Sequence, residues 1–268
     1  MKIKIIDVQN SEKGTVELPS QFLEPVRLDL IKRAVLAIQS NSRQAYGASP
    51  EAGKRHSADV SRRRRKYRGS YGKGISRVPR KILSRNGSQI HWVGAVAPGT
   101  VGGRRAHPPK AEKQWDIKIN DTERRKAIRS ALSATIDPQL VSARGHVLPK
   151  SYPFILSNDF EDISKTKDFH VALQSVGFTE ELERSQNKNV RAGKGTMRGR
   201  RYKRSVGPLI VVSDTCKASK SARNIPGVEV VSVSNVNVEK LAPGTQAGRV
   251  TLYTQSAIEK LKESKLFE

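Results

Sequence analysis

Cysteine is all but absent. Cys216 is the single thiol in 268 residues, so no internal disulfide framework can hold the chain, and a reducing compartment is the expected setting. Long apolar runs are missing too. Nothing approaches the roughly 20 residues of a membrane span, and the start, MKIKIIDVQN, lacks the apolar stretch of a signal peptide. Aromatic residues make up only 5%, and no basic amphipathic helix carries an aromatic face, which speaks against a membrane surface as partner. The expected protein is soluble and intracellular.

The groups that enzymes depend on are equally scarce. No Gly-x-Gly-x-x-Gly turn follows a strand, which removes the usual dinucleotide or adenosyl-methionine site. His56, His91, His107, His146 and His170 are scattered, with no pair on one helical face, and Cys216 has no thiol partner, so no metal is expected. GKGT (193–196) invites a nucleotide-binding reading, but a phosphate loop needs Gly-x4-Gly-Lys-Ser/Thr after a strand. Here Lys188 stands five before Gly193, Gly195 follows Lys194, and the preceding ELERSQNKN is not strand-like. Cys216, behind LIVVSD, reads as an incidental thiol rather than a nucleophile. Asp159, Glu161 and Asp162 read as helix-entry carboxylates just before a helix, where they complement its dipole, and not as a catalytic acid/base pair. No catalytic residue and no cofactor is expected.

Acidic residues are missing only locally, and that is the most informative gap. Residues 43–113 hold 18 Lys and Arg against 3 Asp and Glu, which is +15 of the formal +25. A second tract, 184–204, adds 9 basic residues and no acid, while the remainder carries 23 basic and 22 acidic side chains. The charge sits in two tracts on a nearly neutral body. Cations so concentrated are worth most against a polyanion, because each neutralised phosphate releases condensed counterions.

The body alternates short apolar runs with helical patterns. IKIIDV (3–8), TVEL (15–18), PFILSND (153–159), LIVVSD (209–214), VEVVSV (228–233) and RVTLYT (249–254) read as strands. Val26, Leu30, Ile31, Ala34, Val35 and Ile38 predict a helix just after Pro25. Ile128, Ala131, Leu132, Thr135 and Ile136 predict another, capped by Asn120, Asp121 or Thr122 and stopped by Pro138. Phe169, Ala172, Leu173 and Val176 mark a third, closed by Gly177, and Ile258, Leu261 and Leu266 a last one. The expected class is α/β, with a largely parallel open sheet flanked by helices and interrupted by a long extended basic loop. Residues 1–42 and 114–268 would form a single body, with 43–113 inserted in it.

The insert is too charged and too poor in large aliphatics to build a core, so it should be extended and mobile when free and ordered by a partner. Arg62, Arg63, Arg64 and Arg65 supply forked donors for phosphate oxygens. Tyr67 and Tyr71 can stack on unpaired bases, and Gly69, Gly72, Gly74 and Gly87 permit close backbone approach. GGRRAHPPK (102–110) reads as the returning arm, stiffened by Pro108 and Pro109. Trp115, adjoining the body, reads as packing; Trp92 stays open between packing and stacking.

RAGKGTMRGRRYK (191–203) is similar to the Arg-Ala-Gly-Lys-Gly signature of archaeal and eukaryotic members of the L-four family of large-subunit ribosomal proteins. GKGISRVPRK (72–81) resembles the stretch near the tip of that family's long loop, with Ile75-Ser76 where bacterial members typically carry Thr-Gly, and GGRRAHPP resembles its return arm. The order of elements matches along the whole chain, which thus resembles the archaeal form of that family. The resemblance implies an α/β body on the outside of the large ribosomal subunit and a loop threaded into rRNA. It implies binding near the 5′ region of large-subunit (23S) rRNA, a role in early assembly, and a share in the nascent-peptide exit tunnel. Partners would be several rRNA domains, neighbouring ribosomal proteins and the nascent polypeptide, with a cytoplasmic, ribosomal location and no catalysis. The rRNA-binding residues would be Arg43, Lys54, Arg55, Arg62, Arg63, Arg64, Arg65, Lys66, Tyr67, Arg68, Tyr71, Arg85, Arg104, Arg105 and Lys110. In the second tract they would be Arg191, Lys194, Arg198, Arg200, Arg201, Lys203 and Arg204. Lys73, Gly74, Arg77, Arg80 and Lys81 would lie near the tunnel. The competing reading is an RNA-processing or RNA-modifying enzyme with a basic substrate-gripping loop.

Overall fold

The alternation of apolar and polar residues at the N-terminus makes a hairpin, β1 (Lys2–Ile6) paired antiparallel with β2 (Glu12–Glu17). The computed structural model describes residues 1–67 and 69–267. A helix, α1 (Leu28–Asn41), follows, burying Ile31, Ala34, Val35 and Ala37 at the spacing of one helical face. It begins two residues later than the apolar pattern predicts, with Arg27 extended at the N-cap and its amide donating to the Ser130 hydroxyl at 2.6 Å. The insert then contributes β3 (Arg80–Asn86) and β4 (Gln89–Gly94), an antiparallel hairpin.

The body resumes with α2 (Asp121–Ile136), whose first turn carries Asp121 and Glu123 where they favour the helix dipole. Pro138 does more than stop it. With Asp137 accepting the Gln139 amide at 2.9 Å, Pro138 opens a further helix, α3 (Pro138–Ala143). Next come β5 (Ile155–Leu156), α4 (Asp159–Asp162), α5 (Thr166–Ser175) and α6 (Thr179–Gln186). A short antiparallel pair, β6 (Lys188–Val190) and β7 (Tyr202–Arg204), carries the second basic tract. The chain closes with β8 (Leu209–Val212), α7 (Lys217–Ser221), β9 (Glu229–Ser232), α8 (Val238–Leu241), β10 (Thr251–Thr254) and α9 (Gln255–Glu263).

Six strands make the main sheet in the order β2-β1-β5-β10-β8-β9, parallel throughout except at the β1–β2 edge. The strand period of two sorts its side chains to two cores. Leu209, Val211, Ile155 and Tyr253 meet Ile31, Ile128, Leu132 and Ile258 from α1, α2 and α9 on one face. Ile210, Val212, Leu156 and Leu252 meet Phe160, Phe169, Leu173 and Leu182 from α4, α5 and α6 on the other. Each such side chain contributes about 1.5–3 kcal/mol on burial, and a parallel sheet needs both faces covered.

The chain divides into two compact units, Met1–Ser42 with the chain from Asp116 onward, and Arg43–Trp115. Among the described residues of Arg43–Trp115, only Gly69, Ser70 and Ala95 are buried, and neither apolar core draws on the insert.

Candidate nucleic-acid interface

Within the insert the outgoing and returning arms lie against each other. The Ala48 amide donates to Pro109 O at 2.9 Å, and a Cβ on Gly53 (φ +72°) would stand 2.5 Å from the backbone of Gly103 and Arg104. Glycine is required there on both counts. Further out, Asn86-Gly87 closes the β3–β4 hairpin through a two-residue loop, Gly87-Ser88. Tyr67 donates its hydroxyl to Ser88 O, fastening the arginine-rich stretch to the hairpin tip. Gly72, Gly74 and Gly87 all adopt positive φ; their local task is to turn the chain.

What orders the cations here is aromatic, not acidic. Arg43 lies 3.7 Å and Lys113 4.1 Å over the Trp115 ring, with Tyr46 stacked beside it at 6.0 Å. Arg64 and Arg77 approach Tyr71 at 5.8 and 4.9 Å. Lys73 and Arg80 cover Trp92 at 5.5 and 5.3 Å. In the second tract, Lys188 and Arg201 flank Tyr202 at 4.6 and 5.6 Å. Trp92 and Trp115 therefore both serve as platforms for cations, a role the reading of Trp115 as packing did not contain. A ring face attracts a cation by about 0.5–1 kcal/mol at exposed sites without cancelling its charge.

The body does the opposite with its charges. Many of its cations meet carboxylates, as in Arg129–Glu24 at 3.0 Å, Arg33–Glu123 at 3.0 Å and Lys260–Asp214 at 2.6 Å. Among the described residues of the insert, one ion pair is present, Arg55–Glu51 at 3.4 Å, and residues 188–204 have none. The cationic side chains of both tracts thus stand largely unneutralised, which is the state that binds phosphate most strongly.

Arg43, Lys54, Arg55, Arg62, Arg63, Arg64, Arg65, Lys66, Tyr67, Tyr71, Lys73, Gly74, Arg77, Arg85, Arg105 and Lys110 are solvent-exposed, while Arg80, Lys81 and Arg104 are half-buried. Arg68 lies outside the described residues. Lys194, Arg198, Arg200, Arg201, Lys203 and Arg204 are exposed, and Arg191 is half-buried, its guanidinium turned back onto Arg200 O at 3.1 Å.

The second tract is rooted in the body by a buried ionic network. Arg184, within the tract by sequence, belongs to that root. It grips Glu181 at 2.7 Å and donates to Val206 O at 2.6 Å. Glu181, fully buried, also meets His146 Nδ1 at 2.7 Å and the Val147 amide at 3.0 Å. Burial pushes the Glu181 carboxyl up, but the bonds from Arg184, His146 and Val147 outweigh it and hold it below the usual range. Just ahead of β10, Arg249, 1% exposed, donates to Gly207 O at 3.0 Å and to Glu229 at 2.7 Å. Arg144 nearby is brought down to about 10 by burial and by the like charges of Arg249 and Arg184, and remains a cation at neutral pH.

At the carboxyl edge of the parallel sheet, where α/β enzymes hold ligands, a cavity of about 630 Å³ is lined by Asn158, Glu161, Thr215, Cys216, Lys217 and Ser256, and its central carboxylate is engaged by the protein's own groups. Glu161 lies inside α4, not ahead of a helix, and accepts from the Ser213 amide and hydroxyl, Thr254 and Ser256 at 2.6–3.1 Å. Burial pushes this carboxyl up, but those donors prevail and keep it below its ordinary range. Cys216 caps α7, with Ser219 Oγ 3.6 Å from its sulfur. No group of three or more His, Cys, Asp and Glu among the described residues is arranged to hold a metal, and no described helix is long and apolar enough to cross a membrane.

Residues 16–264 match the Ribosomal protein L4/L1 family. The chain belongs to that family. It is similar to the large ribosomal subunit protein uL4 of Nanoarchaeum equitans, with 51% identity over 268 residues and full coverage of both chains. It is 43% identical to that of Halobacterium salinarum over 98% of this chain and all of the relative, and 42% identical to that of Archaeoglobus fulgidus over 98% and 99%. The family assignment agrees with the resemblance carried by RAGKGTMRGRRYK, and with a mixed α/β fold whose main sheet is mostly parallel.

Proposed function

We propose that this chain is a structural, non-catalytic constituent of the large ribosomal subunit, in the cytoplasm, that binds rRNA through its two basic elements. The observation that carries the reading is the treatment of charge: many cations of the body are paired with acids, whereas those of 43–115 and 188–204 are almost all unneutralised, several of them resting on aromatic rings. An enzyme gripping RNA with a basic loop would still need a reactive group, and Glu161 has its oxygens engaged by the sheet ends.

In this reading Arg62, Arg63, Arg64, Arg65, Arg104 and Arg105 bridge rRNA segments, the insert reaches several rRNA domains, and binding near the 5′ region of 23S rRNA assists early assembly. Lys73, Gly74, Arg77, Arg80 and Lys81 lie toward the exit tunnel, next to neighbouring ribosomal proteins and the nascent polypeptide. Support for the tunnel assignment is the resemblance of GKGISRVPRK to the family's loop tip. The test is sedimentation of endogenous protein through a high-salt sucrose gradient. Close to one copy per large subunit is expected; recovery in the soluble pool, far below that ratio, would sink the reading.

A further inference from the structure

Met197 is the feature of the second tract that phosphate binding leaves unexplained. It stands 82% exposed in the connection between β6 and β7, among Lys194, Arg198, Arg200 and Arg201. Its exposure is not that of slack chain. The Thr196 amide donates to Gly193 O at 3.3 Å, and the Arg198 and Arg200 amides both donate to Gly195 O at 3.1 and 3.0 Å. The Thr196 hydroxyl donates to Arg191 O, and the Arg191 guanidinium closes the loop onto Arg200 O at 3.1 Å. Gly193 and Gly199, at φ +83° and +80°, turn the backbone on either side.

A loop pinned in this way holds an apolar side chain in water. A partner that covers it has to offer an apolar surface while tolerating the four cations beside it in the sequence. An apolar protein patch would leave those cations desolvated and unpaired, which is costly. A nucleobase brings an apolar face and phosphates on both sides of it. A thioether is polarizable and adaptable, suited to a flat ring, and apolar wedges of this kind are inserted between bases elsewhere in nucleic-acid recognition.

We propose that Met197 is an apolar wedge that packs against one unstacked nucleobase of folded rRNA while the flanking cations hold the neighbouring phosphates. The proposal rests on the RNA-binding reading above. It is tested with the full chain and in vitro transcribed large-subunit rRNA, by filter binding across a salt series and by chemical probing of the bases. Met197→Ala is expected to weaken binding about 5- to 100-fold, with the salt slope unchanged, and to abolish the reactivity change at one nucleotide. Met197→Leu should keep both. Arg200→Ala should instead lower the salt slope by about 0.7–0.9. Thermal melts of each variant guard against misfolding. Wild-type affinity and probing pattern in Met197→Ala, alongside weakened Arg200→Ala, would overturn the wedge and leave RNA binding standing. Undiminished RNA affinity in Met197→Ala with impaired entry into subunits would overturn it in favour of a protein contact. Absence of salt-dependent binding by the wild type would instead strike the RNA-binding reading itself.

Discussion

At the scale of the residue, the sharpest division is between charges that hold the protein together and charges held in reserve. Glu181 belongs to the first kind: a buried carboxylate satisfied by Arg184, His146 and the Val147 amide. Removing it leaves the Val147 amide without its acceptor and Arg184 without its carboxylate, held only by Val206 O, at the root of the second tract. Glu181→Ala should lower stability by about 3 kcal/mol, read from denaturant unfolding at pH 7. Because its folded pKa lies below the ordinary value of 4.5, its contribution is complete above that value and lost as pH falls through the folded pKa. The wild type should lose this increment on acidification below about pH 4.5, whereas Glu181→Ala has none to lose there. Equal stabilities of the two proteins at pH 7 would contradict the assignment.

At the scale of the element, Gly53 offers a clean test of how the insert is organised. An alanine there must adopt φ +72° and place its Cβ 2.5 Å from the opposite arm. Gly53→Ala should separate the arms, costing about 2 kcal/mol or more locally, and accelerate tryptic cleavage within 43–113 while the body's fragments persist. Unchanged cleavage would mean the arms do not depend on each other. The same elements show what was legible in the sequence. The six strands of the main sheet and helices α1, α2, α5 and α9 were, since LIVV and the Ile31–Val35 pattern report burial directly; α3, α7, α8 and the β6–β7 pair, short and weakly patterned, were not. Limits of elements were less so: PFILSND yields only Ile155–Leu156, and Pro138 opens α3 as well as ending α2. The β3–β4 hairpin went unread although Asn86-Gly87 between Ile82 and Ile90 is a strong turn signal; the surrounding charge masked it. The platforms of Trp92, Trp115, Tyr71 and Tyr202 depend on contacts between residues distant in sequence, such as Arg43 on Trp115, which no local pattern encodes.

At the scale of the molecule, a neutral α/β body is asked to carry a cationic insert without depending on it. The two apolar cores contain no insert residue, and the graft point is tied within the body. The Ile117 amide donates to Asn41 Oδ1 at 2.8 Å, and Asn41 Nδ2 donates to Ile117 O at 3.3 Å, so the two ends of the body are already paired where the insert leaves and returns. Replacing 43–115 by a short Gly-Ser linker should therefore close a small loop at little entropic cost. The shortened chain should unfold in one cooperative transition, followed by calorimetry. Its affinity for large-subunit rRNA should fall, and the slope of log affinity against log salt should fall by about 0.7–0.9 for each phosphate contact removed. The remaining salt dependence would then belong to 188–204 and to other body cations. A truncated chain that fails to fold would show that the insert supplies structure to the body. A folded one that keeps the full salt slope would show that the +15 of residues 43–113 never meets phosphate.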